Sequence, residues 1–272
     1  RNALEGFTKA GLTFEAKKTA ASFISGTQSS PGLGSQIAQL KANGVEIAII
    51  AAVSSGTAVA LLTASALGYK PEKWVVISVG ADATTIQTIA GSRGIPAASS
   101  AALLSGMISA SHAPAPGDTS DEFITAFKQI NDDFNKGADK RWDNNVLQGM
   151  NIGYMTVGAL TGTLNSKTVF STKRNKACQA NAKKGTLTRV CFIDYMESNS
   201  SKIASAAFSP LQYSSTTHEA FGGFWIGAYD ATTVLKPIGD SRVVYLTDSG
   251  NGPVTVSTYK RPALAADALP KN

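Results

Sequence analysis

The stretch from Ile47 to Gly68 carries no charged side chain over 22 residues, and it limits the possible folds more than any other part of the chain. Because about 20 apolar residues can cross a bilayer, a membrane span is the first interpretation to test. The small or polar residues Ser54–Thr57 interrupt the stretch and argue against a span. An Ile-rich run before them is typical of a buried strand, and an Ala/Leu-rich run after them favours a helix that ends at Gly68. The stretch therefore predicts a strand, a short loop and a helix.

The order of the predicted elements is that of an α/β protein with a mostly parallel, doubly wound sheet. We expect adjacent parallel strands at Glu46–Ala52 and Trp74–Val79, joined by a right-handed crossover, and helices on both faces of the sheet. Two further strands are predicted, at Thr13–Ile24 and at Ala101–Ser109. Four helices are predicted: Asn2–Ala10, a short helix around Ile37 and Leu40, Thr57–Leu67, and a helix that Asp82 caps. A doubly wound sheet normally starts with a strand, so we expect a missing part before the opening helix.

After Ser109 the pattern changes, and a Pro-rich loop from His112 to Asp118 predicts a crossing between lobes. A capping box over Thr119–Glu122 begins one amphipathic helix, whose apolar face is Phe123, Ile124, Phe127, Ile130 and Phe134. A second helix is predicted over Asn144–Leu164. Short strands are predicted at Phe208–Tyr213, Gly222–Tyr229, Arg242–Leu246 and Pro253–Lys260. We expect three parts: an α/β sheet over 1–112, a helical part with a cysteine loop over 113–205, and C-terminal strands with a hinge crossing over 206–272.

The two cysteines, Cys178 and Cys191, lie 13 positions apart with polar sequence between them. An even pair that closes a short loop predicts a disulfide, which favours an exported protein. Two buried free thiols are the alternative. A zinc site is not expected, because the only imidazoles, His112 and His218, are distant in sequence and neither cysteine is in a C-x-x-C motif.

The composition and motifs exclude several classes of protein. Basic residues outnumber acidic ones by 25 to 19, but they are mostly scattered. Their densest group has few aromatic residues among it, so it indicates a solvated surface and not a nucleic-acid site: Lys173, Arg174, Lys176, Lys183, Lys184 and Arg189. No nucleophile elbow or phosphate loop is visible, and we expect neither enzymatic activity nor a cofactor.

A family resemblance is carried by the segments Asn2–Leu12, Gln36–Ile50, Ala58–Lys70 and Trp74–Asp82, continued by Asp121–Phe127 and Asn144–Leu164. In order and spacing they resemble the type I periplasmic binding proteins of the leucine/isoleucine/valine-binding family, the receptors of ABC transporters. The resemblance covers roughly residues 1–165. In that family a first lobe precedes the point where this chain begins, so the resemblance implies a fragment that lacks most of lobe one.

The resemblance implies a hinge-closing receptor that captures a small polar organic solute in a cleft between two lobes and delivers it to ABC permease subunits. Its location would be extracytoplasmic and peripheral to the membrane, with a lipid anchor on the missing N-terminal part as one option. The implied ligand contacts are Val53, Ser54, Ser55 and Gly56 in the first loop, Gly80, Ala81 and Asp82 in the second, and Gln148 on the long helix.

Amino-acid-binding members of this family commonly carry an aromatic residue in the first loop and a carboxylate beside the glycine in the second. This chain has Val53 and Val79 at those places, so the resemblance implies weak binding of simple aliphatic amino acids unless Asp82 compensates. Two alternatives stay open. One is a doubly wound α/β enzyme with catalytic residues in a missing N-terminal part, and the other is a structural protein that reuses the receptor fold.

Overall fold

The computed structural model describes residues 33–137, 141–247 and 254–265. The chain divides into two compact units: the first extends to Ser109 and includes Ala228–Thr233, and the second contains Ala110–Gly227 and the residues from Val234 onward. The helix predicted at 2–10 and the strand predicted at 13–24 lie outside the described residues. The three-part domain division stays a prediction.

The first unit is built on three parallel strands. Its elements are α1 (Leu33–Ala42), β1 (Ile47–Ile50), α2 (Ser54–Ala66), β2 (Lys73–Val76), a 3₁₀ turn (Ser78–Gly80), α3 (Ala83–Ser92), α4 (Ala97–Leu104) and β3 (Ile108–Ser111), whose last two residues belong to the second unit. β1 pairs with β2 in parallel, with Ile50 opposite Val76, and β2 pairs with β3 in parallel, with Val75 opposite Ile108. The predicted parallel adjacency of the first two strands is confirmed.

One face of this sheet is covered by helices. Because β1, β2 and β3 follow one another both in sequence and in space, right-handed crossovers put α2 and α3 on the same face, and these helices pack against each other. Ala48 and Ile50 are buried on β1, whereas Ile47 and Ile49 point away and are exposed. Helices on the second face, which the sequence predicts, are not seen among the described residues of this unit.

Three element bounds in the first unit differ from the predictions by three residues or more. The helix predicted to start at Thr57 begins at Ser54, so Ser54–Gly56, predicted as loop, form its first turn. The predicted strand Ala101–Ser109 is wrong over its first half, because α4 continues to Leu104. Pro96 starts that helix at φ −58°, and the Ala-rich run after it has high helix propensity. The strand predicted to reach Val79 ends at Val76, because the Gly80 N–H donates to the Ile77 carbonyl at 2.8 Å and turns the chain.

The second unit contains four helices in its described part: α5 (Glu122–Phe134), α6 (Asn144–Leu164), α7 (Asn175–Lys183) and α8 (Arg189–Asn199). α6 has its predicted bounds. α5 is capped by Asp121, whose carboxylate accepts from the N–H groups of Phe123 and Ile124, and not by Thr119. Phe134 is exposed at the end of α5, so the predicted apolar face stops one turn earlier.

Short antiparallel strands complete the second unit. β4 (Leu211–Tyr213) pairs with β5 (His218–Phe221), while β6 (Gly223–Tyr229) pairs with β7 (Leu235–Pro237) and β8 (Val244–Leu246), and β8 pairs with β9 (Thr255–Val256). The sequence did not predict β5 or β7. Trp225 on β6 is fully buried, and its Nε1 donates to the Ala113 carbonyl at 2.9 Å.

The predicted disulfide is present and joins Cys178 on α7 to Cys191 on α8, with 5.5 Å between their Cα atoms. The segment predicted as a polar loop is therefore two helices with a tight turn near Gly185, whose φ is +65°. Both cysteines are buried in a cluster with Phe170 and Tyr195. The disulfide thus holds two short helices, α7 and α8, against each other around a small hydrophobic cluster.

Replacing both Cys178 and Cys191 by alanine should lower the free energy of unfolding by about 3 kcal/mol, because a ~13-residue loop constraint is lost from the unfolded chain. Urea denaturation of the oxidised protein and the double variant measures this difference. Reduction of the wild-type protein serves as the control and should give the same loss. An unchanged midpoint in the double variant would contradict the prediction.

Two arginines hold the C-terminal segment of the second unit in place. Arg242 forms an ion pair with Asp118 at 2.7 Å, and Arg261 forms one with Asp121 at 2.6 Å. Both guanidinium groups lie over the ring of Phe208, at 4.3 and 5.0 Å from its centroid. Burial alone would raise the pKa of Asp118, but hydrogen bonds from Ser120 and Arg242 and the charge of Arg242 outweigh it and hold that pKa below its ordinary value.

Arg242→Met keeps the apolar stem but removes the ion pair, and it should lower the free energy of unfolding by about 2 kcal/mol at neutral pH. The folded-state pKa of Asp118 is lowered, so this stabilisation is complete above the ordinary value of 3.8 and is lost as the pH falls through the folded-state pKa. The difference between the two proteins should therefore shrink below pH 3.8 in denaturant titrations at several pH values. Lys128→Met is the control: it breaks an exposed pair with Asp132, which should matter little.

Candidate functional site

The loops after β1 and β2 lie side by side at one edge of the first unit's sheet. Parallel neighbours end at the same edge, and the Ile77 N–H donates to the Ile50 carbonyl at 3.2 Å at this point. We call residues 51–57 and 77–82 the carboxyl edge. It contains seven of the eight predicted ligand-binding residues, which the structure therefore brings together.

The hydroxyl group of Ser54 ties the two loops to each other. It donates to the Val79 carbonyl at 3.2 Å and accepts from the Asp82 N–H at 3.3 Å. Ser54 is the first residue of α2 and is buried. Its hydroxyl group therefore connects the two loops from the buried side of the junction.

Gly80 allows the two loops to touch. A Cβ atom at this position would lie 2.2 Å from the Ala52 carbonyl oxygen and 2.9 Å from Thr57 Oγ1. A backbone oxygen cannot move aside easily, so only glycine fits here. Gly56 has a milder version of the same constraint, since its Cβ would lie 2.9 Å from the Ala52 methyl group.

Asp82 and Tyr229 hold the second loop against α3. The carboxylate of Asp82, which is buried, accepts from the Thr85 N–H at 2.7 Å and caps that helix. The hydroxyl group of Tyr229 donates to the Ala81 carbonyl. Burial, and to a lesser extent the nearby charge of Asp82, raises the pKa of Tyr229 far above its ordinary value, so this hydroxyl stays a donor.

The residues that the carboxyl edge presents to solvent are mainly apolar. Val53 is 62% exposed, Ile77 is 42% exposed and Val79 is 65% exposed. Ser55 is half-buried. The N-cap of α2 is Val53, and no side chain caps this helix, so the first-turn N–H groups keep their donor capacity.

Gln148, the eighth predicted residue, lies on α6 in the second unit. Its Oε1 is 3.1 Å from His112 Nε2, and the His112 ring stacks on Phe221 with 5.4 Å between centroids. Burial lowers the pKa of His112, and the hydrogen bond with Gln148 partly opposes that shift. Within this unit, Gln148 therefore has a side-chain partner that the sequence did not predict.

Sequence reasoning missed Ile77 and Tyr229 as residues of this site. Ile77 falls in an apolar run that is typical of a buried strand, and nothing in the run marks where the strand ends. Tyr229 is distant in sequence from the loop it supports, and its hydrogen bond depends on tertiary structure alone. An aromatic residue at the end of a predicted strand was the only available signal.

The described residues contain no group of three or more His, Cys, Asp or Glu side chains arranged to hold a metal ion. Within the same residues, no helix combines the length and the apolar character needed to cross a membrane. The chemistry available at the carboxyl edge is therefore hydrogen bonding from backbone N–H groups and from the hydroxyl groups of the half-buried Ser55 and the exposed Ser78, together with apolar contact.

No protein-family model matches the chain, and no curated protein resembles it in sequence. Solved structures do resemble it. A branched-chain amino acid ABC transporter protein from Thermus thermophilus with bound valine superimposes with a TM-score of 0.62 at 14% identity, over 88% of this chain and 55% of that one. The fold is that of the type I periplasmic binding proteins.

Two further solved structures share this fold. A fatty acid ABC transporter substrate-binding protein from Thermomonospora curvata gives a TM-score of 0.52 at 19% identity, and it matches 76% of this chain and 45% of its own length. A substrate-binding periplasmic protein from Ralstonia solanacearum gives 0.53 at 14% identity, over 76% and 49%. The chain thus spans about half the length of the solved proteins that it resembles.

Gly80→Ala should lower the free energy of unfolding by about 2 kcal/mol or more, because the new methyl group overlaps a carbonyl oxygen in a packed junction. The matched control is Gly91→Ala on α3, where a Cβ meets nothing within 4 Å and helix propensity favours alanine. Chemical denaturation of both variants measures the contrast. Equal stabilities for the two variants would contradict the close packing of the loops.

Proposed function

We propose that this protein is an extracytoplasmic solute-binding receptor of an ABC importer that holds a small organic solute at the carboxyl edge of the first unit. The observation that carries the proposal is the pair of exposed valines, Val53 and Val79, on adjacent loops at the ends of parallel strands. This edge is where ligands bind in open α/β sheets. Solved proteins with the same fold include a fatty acid ABC transporter substrate-binding protein and a substrate-binding periplasmic protein.

Each predicted ligand contact has a place in this proposal. Val53 and Ser55 offer an apolar surface and a hydroxyl group to the solute, and the N–H groups of the first turn of α2, including that of Gly56, can donate to a solute oxygen. The two loops are held together on their buried side by Ser54, Gly80, Ala81 and Asp82. Gln148, the remaining predicted contact, lies in the second unit, where its side chain is hydrogen-bonded to His112.

A receptor function fits the carboxyl edge better than catalysis does. Asp82 is the single ionisable residue of residues 51–57 and 77–82, and it is buried as a helix cap. General acid–base chemistry needs a titratable group within reach of the substrate. The described loops therefore favour binding without turnover, and delivery of the solute to permease subunits completes the proposed role.

Val79→Arg in the full-length natural protein tests the site directly. Val79 is exposed, so the variant should fold normally, while the bulky charge should abolish solute binding or weaken it at least about tenfold. A library of small organic solutes is screened by thermal shift, and each hit is titrated by calorimetry.

Val169→Arg is the control, because Val169 is 66% exposed and lies in the second unit. It should bind as the wild-type protein does. Solute binding that survives Val79→Arg would place the site elsewhere, and chemical conversion of a bound solute would contradict the receptor function.

A further inference from the structure

The charges of the first unit are unevenly distributed between the two edges of its sheet. Glu46 precedes β1, and Lys70 and Glu72 precede β2, which places them at the amino ends of the strands. The opposite, carboxyl edge has a single charged residue, Asp82, within residues 51–57 and 77–82. A solute at the carboxyl edge therefore meets almost no charge from the described part of this unit.

Two polar side chains of the carboxyl edge, those of Ser54 and Asp82, are already used within the protein. The carboxylate of Asp82 caps α3, and the hydroxyl group of Ser54 bridges the two loops. The large side chains that are exposed are those of Val53, Ile77 and Val79, and the small hydroxyl-bearing Ser78 is exposed between the last two. The exposed surface is thus mainly hydrocarbon with a neutral hydroxyl group, while the carboxylate of Asp82 is buried.

This arrangement discriminates between a hydrocarbon and an ammonium group on the solute. A hydrocarbon gains by leaving water for the exposed valine and isoleucine side chains. An ammonium group loses its hydration there and finds no exposed carboxylate in residues 51–57 or 77–82 to replace it. Asp82 could bind the ammonium group only by leaving its buried position, which would remove the cap of α3 and disrupt the packing of the second loop.

We infer that the solute presents an uncharged hydrocarbon portion, without an amino group, to the surface formed by Val53, Ile77 and Val79. This inference rests on the proposed function and specifies the substrate class for the same site. The class is small carboxylic acids or neutral compounds with a branched aliphatic or aromatic end, as distinct from the amino acids of the same carbon skeleton.

Matched pairs of solutes test the inference in the full-length natural protein. The pairs are 3-methylbutanoate and valine, 4-methylpentanoate and leucine, and 3-phenylpropanoate and phenylalanine, which differ within each pair only by the α-ammonium group. Calorimetry should show at least about tenfold tighter binding of the deaminated member in at least one pair. Tighter or equal binding of the amino acids would overturn the inference.

Substitutions at Val79 separate discrimination against the ammonium group from a general loss of binding. Val79→Asp adds a carboxylate beside the hydrocarbon surface, so it should weaken the carboxylic acid and reduce or reverse the preference within the pair. Val79→Asn, which is similar in size but neutral, should weaken the acid less and leave the preference in place. Val169→Asp, at an exposed position of the second unit, should change neither affinity. A preference unaltered by Val79→Asp would overturn the inference.

The two proposals fail in different ways. If a library screen finds that only solutes outside this class bind and no pair member binds, the ligand class is wrong and the receptor function stands. If no solute stabilises or titrates the folded protein, the proposed function itself is contradicted.

Discussion

The contact between the loops after β1 and β2 is the interaction on which the rest of the candidate site depends. Gly80 lies so close to the Ala52 carbonyl that no side chain fits between them. The hydroxyl group of Ser54 then reaches both the Val79 carbonyl and the Asp82 N–H. These backbone groups are satisfied inside the junction, where Gly80, Ala81 and Asp82 are buried as well. Val79, which precedes them, remains 65% exposed.

This junction also explains why residues with obvious binding chemistry have structural roles. A buried serine or carboxylate loses its hydration and is stable only with hydrogen-bond partners. Ser54 finds them in the neighbouring loop, and Asp82 finds one at the start of α3. The recognition surface is left to apolar side chains, whose exposure is unfavourable in water and which gain by meeting a ligand.

The second unit is stabilised by different means. Its helices are connected by a disulfide between α7 and α8, and its C-terminal segment is held by two guanidinium groups that share the ring of Phe208. Apart from the seven-residue β6, the strands here are short, and β9 has only two residues. Ion pairs with Asp118 and Asp121 add to their hydrogen bonds.

Much of the architecture could be predicted from local sequence patterns. The parallel pair β1 and β2, the bounds of α6 and the disulfide were predicted from apolar runs, helical periodicity and cysteine spacing. The errors have physical causes of the same kind. The end of β2 is set by a turn that Gly80 closes, and the helical state of the segment around Cys178 depends on packing against Phe170 and Tyr195.

The sequence alone determined the strand–helix order around β1 and β2 and where the two loops follow these strands, because those choices depend on residues a few positions apart. Only the tertiary structure decided which loop residues face inward. Ser54 meets Val79 across 25 positions and Asp82 across 28, and no periodicity within either loop encodes that contact. Ser54 and Asp82, which the sequence marks for binding, therefore hold the loops together, while Val53 and Val79 are exposed.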